Sequence, residues 1–282
     1  MTNPIVDPLV ENPTPGVDLE SGGPVLLDAS PSGVAFVTIN RPAKKNAFNA
    51  ETINALREAF ETLHGADHVR VVFLRGAGGT FCAGADLEWM RDAVEWSESD
   101  NRTDAMELAL MLKALRDVPA LTCAIVEGAA MGGGAGLVAA CDMAVAVDGA
   151  KFAFSEVRLG LIPATIAPYV IEAVGPRTAR RLFTSANVFD AEAARDFGLV
   201  DAVLPEASSI QGFVDQLSSL TSACAPGAVG DAKRLVNDIA GKPLDHDLMH
   251  ETARCIARAR VSDEGQEGVR AFLERRKPSW FV

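Results

Sequence analysis

Positive charge is scarce in this 282-residue chain: 26 Lys and Arg face 38 Asp and Glu, for a formal charge of −12. A nucleic-acid partner is disfavoured, because phosphate contacts need a basic surface. Any polyanionic ligand must be met by local cations rather than by the field of the whole molecule. Paired cysteines are also lacking. Cys82, Cys123, Cys141, Cys224 and Cys255 contain no C-x-x-C spacing and are odd in number, which favours reduced thiols over a disulfide framework. The first Lys or Arg is Arg41, so the positive start of a secretory signal is missing. The charge-free run Gly128–Cys141 is fourteen residues long and glycine-rich, too short for a membrane span. A cytoplasmic protein without a membrane partner is expected. His246 and His250 have the i, i+4 spacing of zinc ligands. Asp247 stands where H-E-x-x-H needs glutamate and no third ligand is obvious, so surface histidines and no metal are expected.

What is present is an ordinary globular balance, 48% hydrophobic and 23% charged, in a chain long enough for one large domain. Residues 1–24, with five prolines and only acidic charges, read as a leader without a core. Strands are expected at Val25–Leu27, Val34–Ile39, Val69–Leu74, Leu121–Val126, Met143–Val147, Lys151–Phe154 and Val200–Leu204. Helices are expected from the Asn49 cap to His64, then over Asp86–Glu95, Asp104–Leu115 and Gly134–Cys141. Such alternation argues for an α/β core over residues 25–204. After about residue 205 strand signals stop, and residues 205–282 read as helices over Ala207–Ser222, Gly227–Ile239, Asp245–Arg260 and Asp263–Arg276.

Two glycine clusters, Phe81-Cys82-Ala83-Gly84-Ala85-Asp86-Leu87 and Met131-Gly132-Gly133-Gly134, place small residues just ahead of helices. They are not nucleotide loops. The pattern begun by Gly76 and Gly78 meets Phe81 where a third glycine is needed, and that of Gly132 and Gly134 meets Leu137. Small residues instead let backbone N–H groups approach a ligand, and helix N-termini favour negative charge there. Two converging donors suit a thioester oxygen that becomes an enolate. With Asn40-Arg41-Pro42, Asn46-Ala47-Phe48-Asn49 and the run Ser155–Pro163, these segments resemble the crotonase (enoyl-CoA hydratase/isomerase) family from about residue 33 to Pro278.

The resemblance implies a spiral of ββα turns followed by helices that pack between subunits, as a homotrimer or a dimer of trimers. It implies an acyl-CoA substrate with no cofactor beyond the CoA that the substrate carries. It carries the oxyanion donors over to the N–H groups of Ala85 and Gly133, flanked by Ala83, Asp86 and Leu87; Asp86 also reads as a helix cap. Glu156 is the one carboxylate in Lys151–Pro163 and, among Phe152, Phe154, Val157 and Leu159, reads as a partly desolvated acid/base. Gly136 departs from the pattern, since well-studied hydratases of the family carry a second glutamate there. Gly136 and the run Leu161–Ile166 are similar to bacterial methylglutaconyl-CoA hydratases. Lys44, Lys45, Arg275 and Lys277 are expected to approach CoA, the last two from a neighbouring subunit. Trp89 and Met90 are expected at the acyl pocket, with core packing as the alternative for Trp89, and Arg158 or Arg91 at a substrate carboxylate. Hydration of a branched or carboxylated 2-enoyl-CoA is expected. Isomerisation of a 3-enoyl-CoA, or acyl-CoA binding without turnover, is the alternative.

Overall fold

The computed structural model describes residues 22–281. The expected leader therefore lies outside the described residues except at its last three positions. A hairpin opens the fold, β1 (Val25–Ala29) against β2 (Val34–Ile39), with the Ser30 hydroxyl bonding both backbone groups of Val34 at its turn. Helix α1 (Ala50–His64) starts where the Asn49 side chain accepts the Thr52 N–H at 2.9 Å, and it buries Ile53, Leu56, Phe60 and Leu63 along one face. Strand β3 (Val71–Gly76) leads to α2 (Leu87–Ala93) and α3 (Glu98–Asp117). Helix α3 starts well before Asp104 because Ser97 and Asp100 form a capping box. Its opening turns are polar, so apolar periodicity did not reveal them.

The chain continues through β4 (Leu121–Val126), β5 (Ala129–Met131), α4 (Gly133–Ala140), β6 (Met143–Val147) and β7 (Lys151–Ala153). A 3-10 turn over Glu156–Leu159 precedes α5 (Ala167–Ser185), β8 (Phe189–Asp190), α6 (Ala191–Asp196) and β9 (Ala202–Leu204). Four helices follow: α7 (Ser209–Ser222), α8 (Pro226–Ile239), α9 (His246–Val261) and α10 (Asp263–Leu273). Helix α5 was not apparent from the sequence, because Pro168 and Gly175-Pro176 interrupt it. Pro168 sits in the first turn, where a missing N–H costs nothing, and Gly175 adopts φ 75° at a kink.

The large sheet has the order β1-β2-β3-β4-β6-β9 and is parallel apart from β1, while β5-β7-β8 form a second sheet. The chain repeatedly leaves the large sheet, adds a short extended segment beside the second, and then turns into a helix. Cys82 after β3 bridges Ala130 of β5 in parallel, and Ala130 pairs with Phe152 of β7. This is the expected ββα spiral.

One core fills the space between the sheets and helices α1, α3, α4 and α5, with Phe60, Phe81, Phe152 and Phe154 fully enclosed. A smaller core on the outer face of the large sheet joins Val71, Phe73, Cys123, Ile125 and Val145 to Val214 and Leu217 of α7. By contrast, α8, α9 and α10 together bury only Gly230 and Ala271. Among the described residues no helix is long and apolar enough to cross a membrane.

Candidate active site

Three chain segments leave the second sheet side by side. Cys82 pairs with Ala130, and Met131 pairs with Ala153, so Ala85, Gly133 and Glu156 lie two or three residues beyond paired positions on neighbouring segments. Registration of backbone, rather than proximity in sequence, brings them together. The Met131 N–H donates to the Cys82 carbonyl at 2.9 Å, and the Gly132 N–H to the Ala153 carbonyl at 2.8 Å.

An account of backbone donors singles out the same positions. Cys82 donates to the Ala129 carbonyl, Ala83 to that of Lys45, Gly84 to the Cys82 sulfur, and Asp86 to the Phe48 carbonyl. Between them the Ala85 N–H has no acceptor among the described residues, and Ala85 is exposed. Phe48 grips this peptide from both sides, donating to the Gly84 carbonyl and accepting from Asp86, each at 2.7 Å. At the start of α4, the Gly136 N–H bonds the Gly132 carbonyl, while the donors before it are first-turn groups without intrahelical acceptors. Gly134 and Ala135 are buried and Gly133 is half-buried, so the Gly133 N–H is the one presented. Gly132 makes this corner possible with φ 51° and ψ −118°, a conformation closed to residues with a side chain.

Glu156 opens the 3-10 turn beside this corner. A Cβ placed on Gly132 would lie 3.1 Å from Glu156 Oε1, so the carboxylate rests against the Gly132 peptide. Oε2 is buried and has no hydrogen-bond partner among the described residues. Burial raises the Glu156 pKa above the ordinary carboxylate value, only partly offset by its own backbone N–H. The group is therefore poised to accept and return a proton.

The surrounding positions have varied fates. The Asp86 side chain caps α2 through the Glu88 N–H at 2.9 Å and takes the Arg41 guanidinium at 2.7 Å. The Glu88 N–H first, then Arg41, holds its pKa below the usual carboxylate range. The Asp86 carboxylate thus fastens the loop to α2 and to Arg41. Lys44 is paired with Glu88 at 2.9 Å, whereas Lys45 is exposed without an ion pair among the described residues, and its carbonyl holds Ala83. Leu87 is exposed at the start of α2; Met90 is half-buried, and half-buried Trp89 packs against the main core.

Arg158 is fastened within the chain as well. Its guanidinium donates to the Ala186 carbonyl at 2.7 Å, tying the Glu156 turn to the end of α5. Arg275 and Lys277 lie away from this corner in the single chain. The tail that carries them is anchored by the Arg70 guanidinium to the Trp280 carbonyl, at the N-terminal end of β3, whereas the glycine loops leave the C-terminal ends of β3 and β4. His246 and His250 stack edge-on at 4.3 Å, and no group of three metal-binding side chains occurs among the described residues.

A glycine corner with the buried Glu156 Oε2 beside it is thus on one side of the second sheet, and a family model for enoyl-CoA hydratase/isomerase matches residues 29–281. The chain belongs to the enoyl-CoA hydratase/isomerase family. A Legionella pneumophila structure assigned to the crotonase-type members is 42% identical, with a TM-score of 0.84 over 92% of this chain and 99% of that one. An enoyl-CoA hydratase structure from Shewanella pealeana is 36% identical, with a TM-score of 0.85 over 91% of this chain and 96% of that one. An enoyl-CoA isomerase/hydratase of Mycosarcoma maydis is 31% identical over 88% of this chain and 92% of its own length.

Sequence reasoning missed the loop's fastening. Asn46 is fully buried at positive φ and donates to the Ala77 and Thr80 carbonyls, while its Oδ1 accepts the Arg41 N–H at 2.9 Å. An asparagine four residues after Arg41-Pro42 is a weak turn signal in sequence, and its three partners lie on two different loops.

Proposed function

We propose that this enzyme hydrates a 2-enoyl-CoA thioester, with Glu156 as its only carboxylate acid/base. The observation that carries this reading is the unpartnered Glu156 Oε2, buried beside the corner that presents the Gly133 N–H. The thioester oxygen would accept from the Ala85 and Gly133 N–H groups, which stabilise its charge as the enolate forms. Glu156 takes a proton from water as the oxygen adds to the β-carbon, then delivers that proton to the α-carbon as the enolate collapses. The elements of water are added and the carboxylate is restored, so one glutamate suffices.

Lys45 and a neighbouring copy's Arg275 and Lys277 would meet the CoA phosphates, and no cofactor beyond the substrate's own CoA is needed. A homotrimer, alone or paired, would cover the exposed apolar side chains of α9 and α10. With the Arg158 guanidinium engaged, exposed Arg91, which has no ion pair among the described residues, is the cation left for a substrate carboxylate. We therefore favour a branched or carboxylated substrate of the methylglutaconyl type. A second reading, Δ3–Δ2 isomerisation, is favoured by the glycine at position 136, because a 1,3-proton shift needs only one base.

The deciding experiment compares crotonyl-CoA, 3-methylglutaconyl-CoA and a 3-enoyl-CoA in oxygen-labelled water. Labelled hydroxyacyl product, fastest from the carboxylated substrate and slowed selectively by Arg91→Ala, is expected. Rapid isomerisation without oxygen incorporation from any substrate would overturn hydration.

A further inference from the structure

Gly133 and Gly136 lie one turn apart on the same face of α4. Each is covered by a side chain from another segment. A Cβ on Gly133 would stand 3.0 Å from Phe48 Cε2, a tight contact. At Gly136 the clash is absolute: a Cβ would fall 2.2 Å from Ile166 Cγ2 and 2.7 Å from Ile166 Cβ, closer than real Cβ atoms approach anything. Ile166 has little freedom to yield. It is β-branched and so stiff at χ1, it is 2% exposed, and it sits at the start of α5 with its carbonyl accepting the Val170 N–H at 3.1 Å. The missing side chain at position 136 is thus matched by a filled space, supplied thirty residues later in the chain.

We propose that Ile166 is a positioning residue that commits this site to a single carboxylate. From α5 it occupies the place beside α4 where a side chain one turn beyond the Gly133 corner would have to stand. A simple exchange of Gly136 for glutamate therefore cannot convert the site to a two-acid one. Every proton moved during turnover passes through Glu156. The inference rests on the proton-shuttle reading of Glu156, and its test separates the two.

The first arm is a thermal-unfolding cycle on the full chain that needs no turnover. Gly136→Ala should lower Tm by roughly 5 °C or more, as overpacking of a closed site does. Ile166→Ala should also lose stability through the cavity it leaves. The double variant should unfold well above the sum of the two losses, because each change makes room for the other. The second arm follows enoyl-CoA hydration against pH. Wild type should show one rising limb from Glu156, and Gly136→Glu combined with Ile166→Ala should add a falling limb at higher pH from the second carboxyl group.

Additive losses in Tm, or a Gly136→Ala variant as stable and active as wild type, would overturn the pairing. So would a folded Gly136→Glu single variant that already shows both limbs. If the glutamate double variant does not fold, the alanine cycle decides alone. Coupling in Tm with no hydration by any of the proteins would remove the proposed reaction and leave the pairing standing.

Discussion

Helices α4 and α9 show how differently one chain treats its two halves. From Gly134 to Ala140 every residue of α4 is buried, although the helix is only eight residues long. Helix α9 is sixteen residues long and buries none. Their sequences account for this. Helix α4 carries no charge and a string of glycines and alanines, so its backbone can lie close to Cys82, Phe48 and Ile166. Helix α9 lines Asp247, Glu251, Arg254 and Arg258 along one face yet leaves Met249, Ile256 and Val261 exposed. The geometry of the glycine corner is therefore fixed within one chain, while the C-terminal helices present faces that one chain does not cover. Chemistry should respond to changes at α4, and assembly to changes at α8–α10.

The sharpest break of that contrast lies at the donors themselves. Gly133 is the first residue of α4, where proline fits a helix; it removes the N–H and adds a Cβ against Phe48. Gly133→Pro should lower kcat by roughly a hundredfold or more, the usual scale for one oxyanion donor. Gly133→Ala is the control, because it introduces the same tight contact with Phe48 and keeps the N–H; it should be much milder. Equal losses from the two would show that Phe48 crowding, not donation, matters. Glu156→Gln should cost at least about a hundredfold in turnover with acyl-CoA affinity largely kept. Near-wild-type turnover in that variant would remove Glu156 from the mechanism.

The second effect belongs to the other half. Phe272 is 82% exposed and Val269 57% exposed on α10. Replacing both by Asp should shift the protein to smaller species by sedimentation while far-ultraviolet circular dichroism keeps its helical signal. A monomeric wild type would end the idea that another copy covers these faces.

How much of this was legible beforehand divides along the same line. The Asn49 cap and the Leu121–Val126 strand could be read because each signal is local. The departure at Gly136 was also visible, but its cause was not, since Ile166 lies thirty residues away and meets it only after α5 folds back on α4. Asn46 escaped for a related reason: its amide joins Ala77 and Thr80 across a turn whose shape sequence alone does not specify. The Arg158 guanidinium looked free to bind a substrate because nothing near it in sequence announces the Ala186 carbonyl. Local caps and strands are encoded by neighbours, whereas side-chain commitments depend on register between distant segments.

A smaller, thermodynamic effect follows from the burial of Glu156. Its pKa is raised in the fold, so the folded state favours the protonated form. That favourable contribution is fully present below the ordinary carboxylate pKa and is lost as pH rises through the raised value. Glu156→Gln does not titrate and so lacks that contribution. Its Tm relative to wild type should therefore increase from acid toward neutral pH and then level off. A Tm difference that stays flat, or falls as pH rises, would mean that the carboxylate is not desolvated in the folded protein.

The smallest expected effect lies at the tail. The Lys277 ammonium sits 3.9 Å from the centre of the Phe281 ring, an exposed contact worth about 0.5–1 kcal/mol at such sites. If the tail of one copy reaches the CoA phosphates bound by another, Lys277→Ala should weaken CoA binding a few-fold at low ionic strength. Salt should erase most of that difference, because screening already attenuates an exposed charge contact in the wild type. The same variant should leave Glu156-dependent turnover at saturating substrate unchanged, since the Trp280 anchor holds the tail away from its own chain's glycine loops. Sedimentation must accompany the titration. A salt-independent loss of affinity together with a smaller assembly would make Lys277 and Phe281 a structural pair, and the phosphate contact would then fall to Lys45 and Arg275.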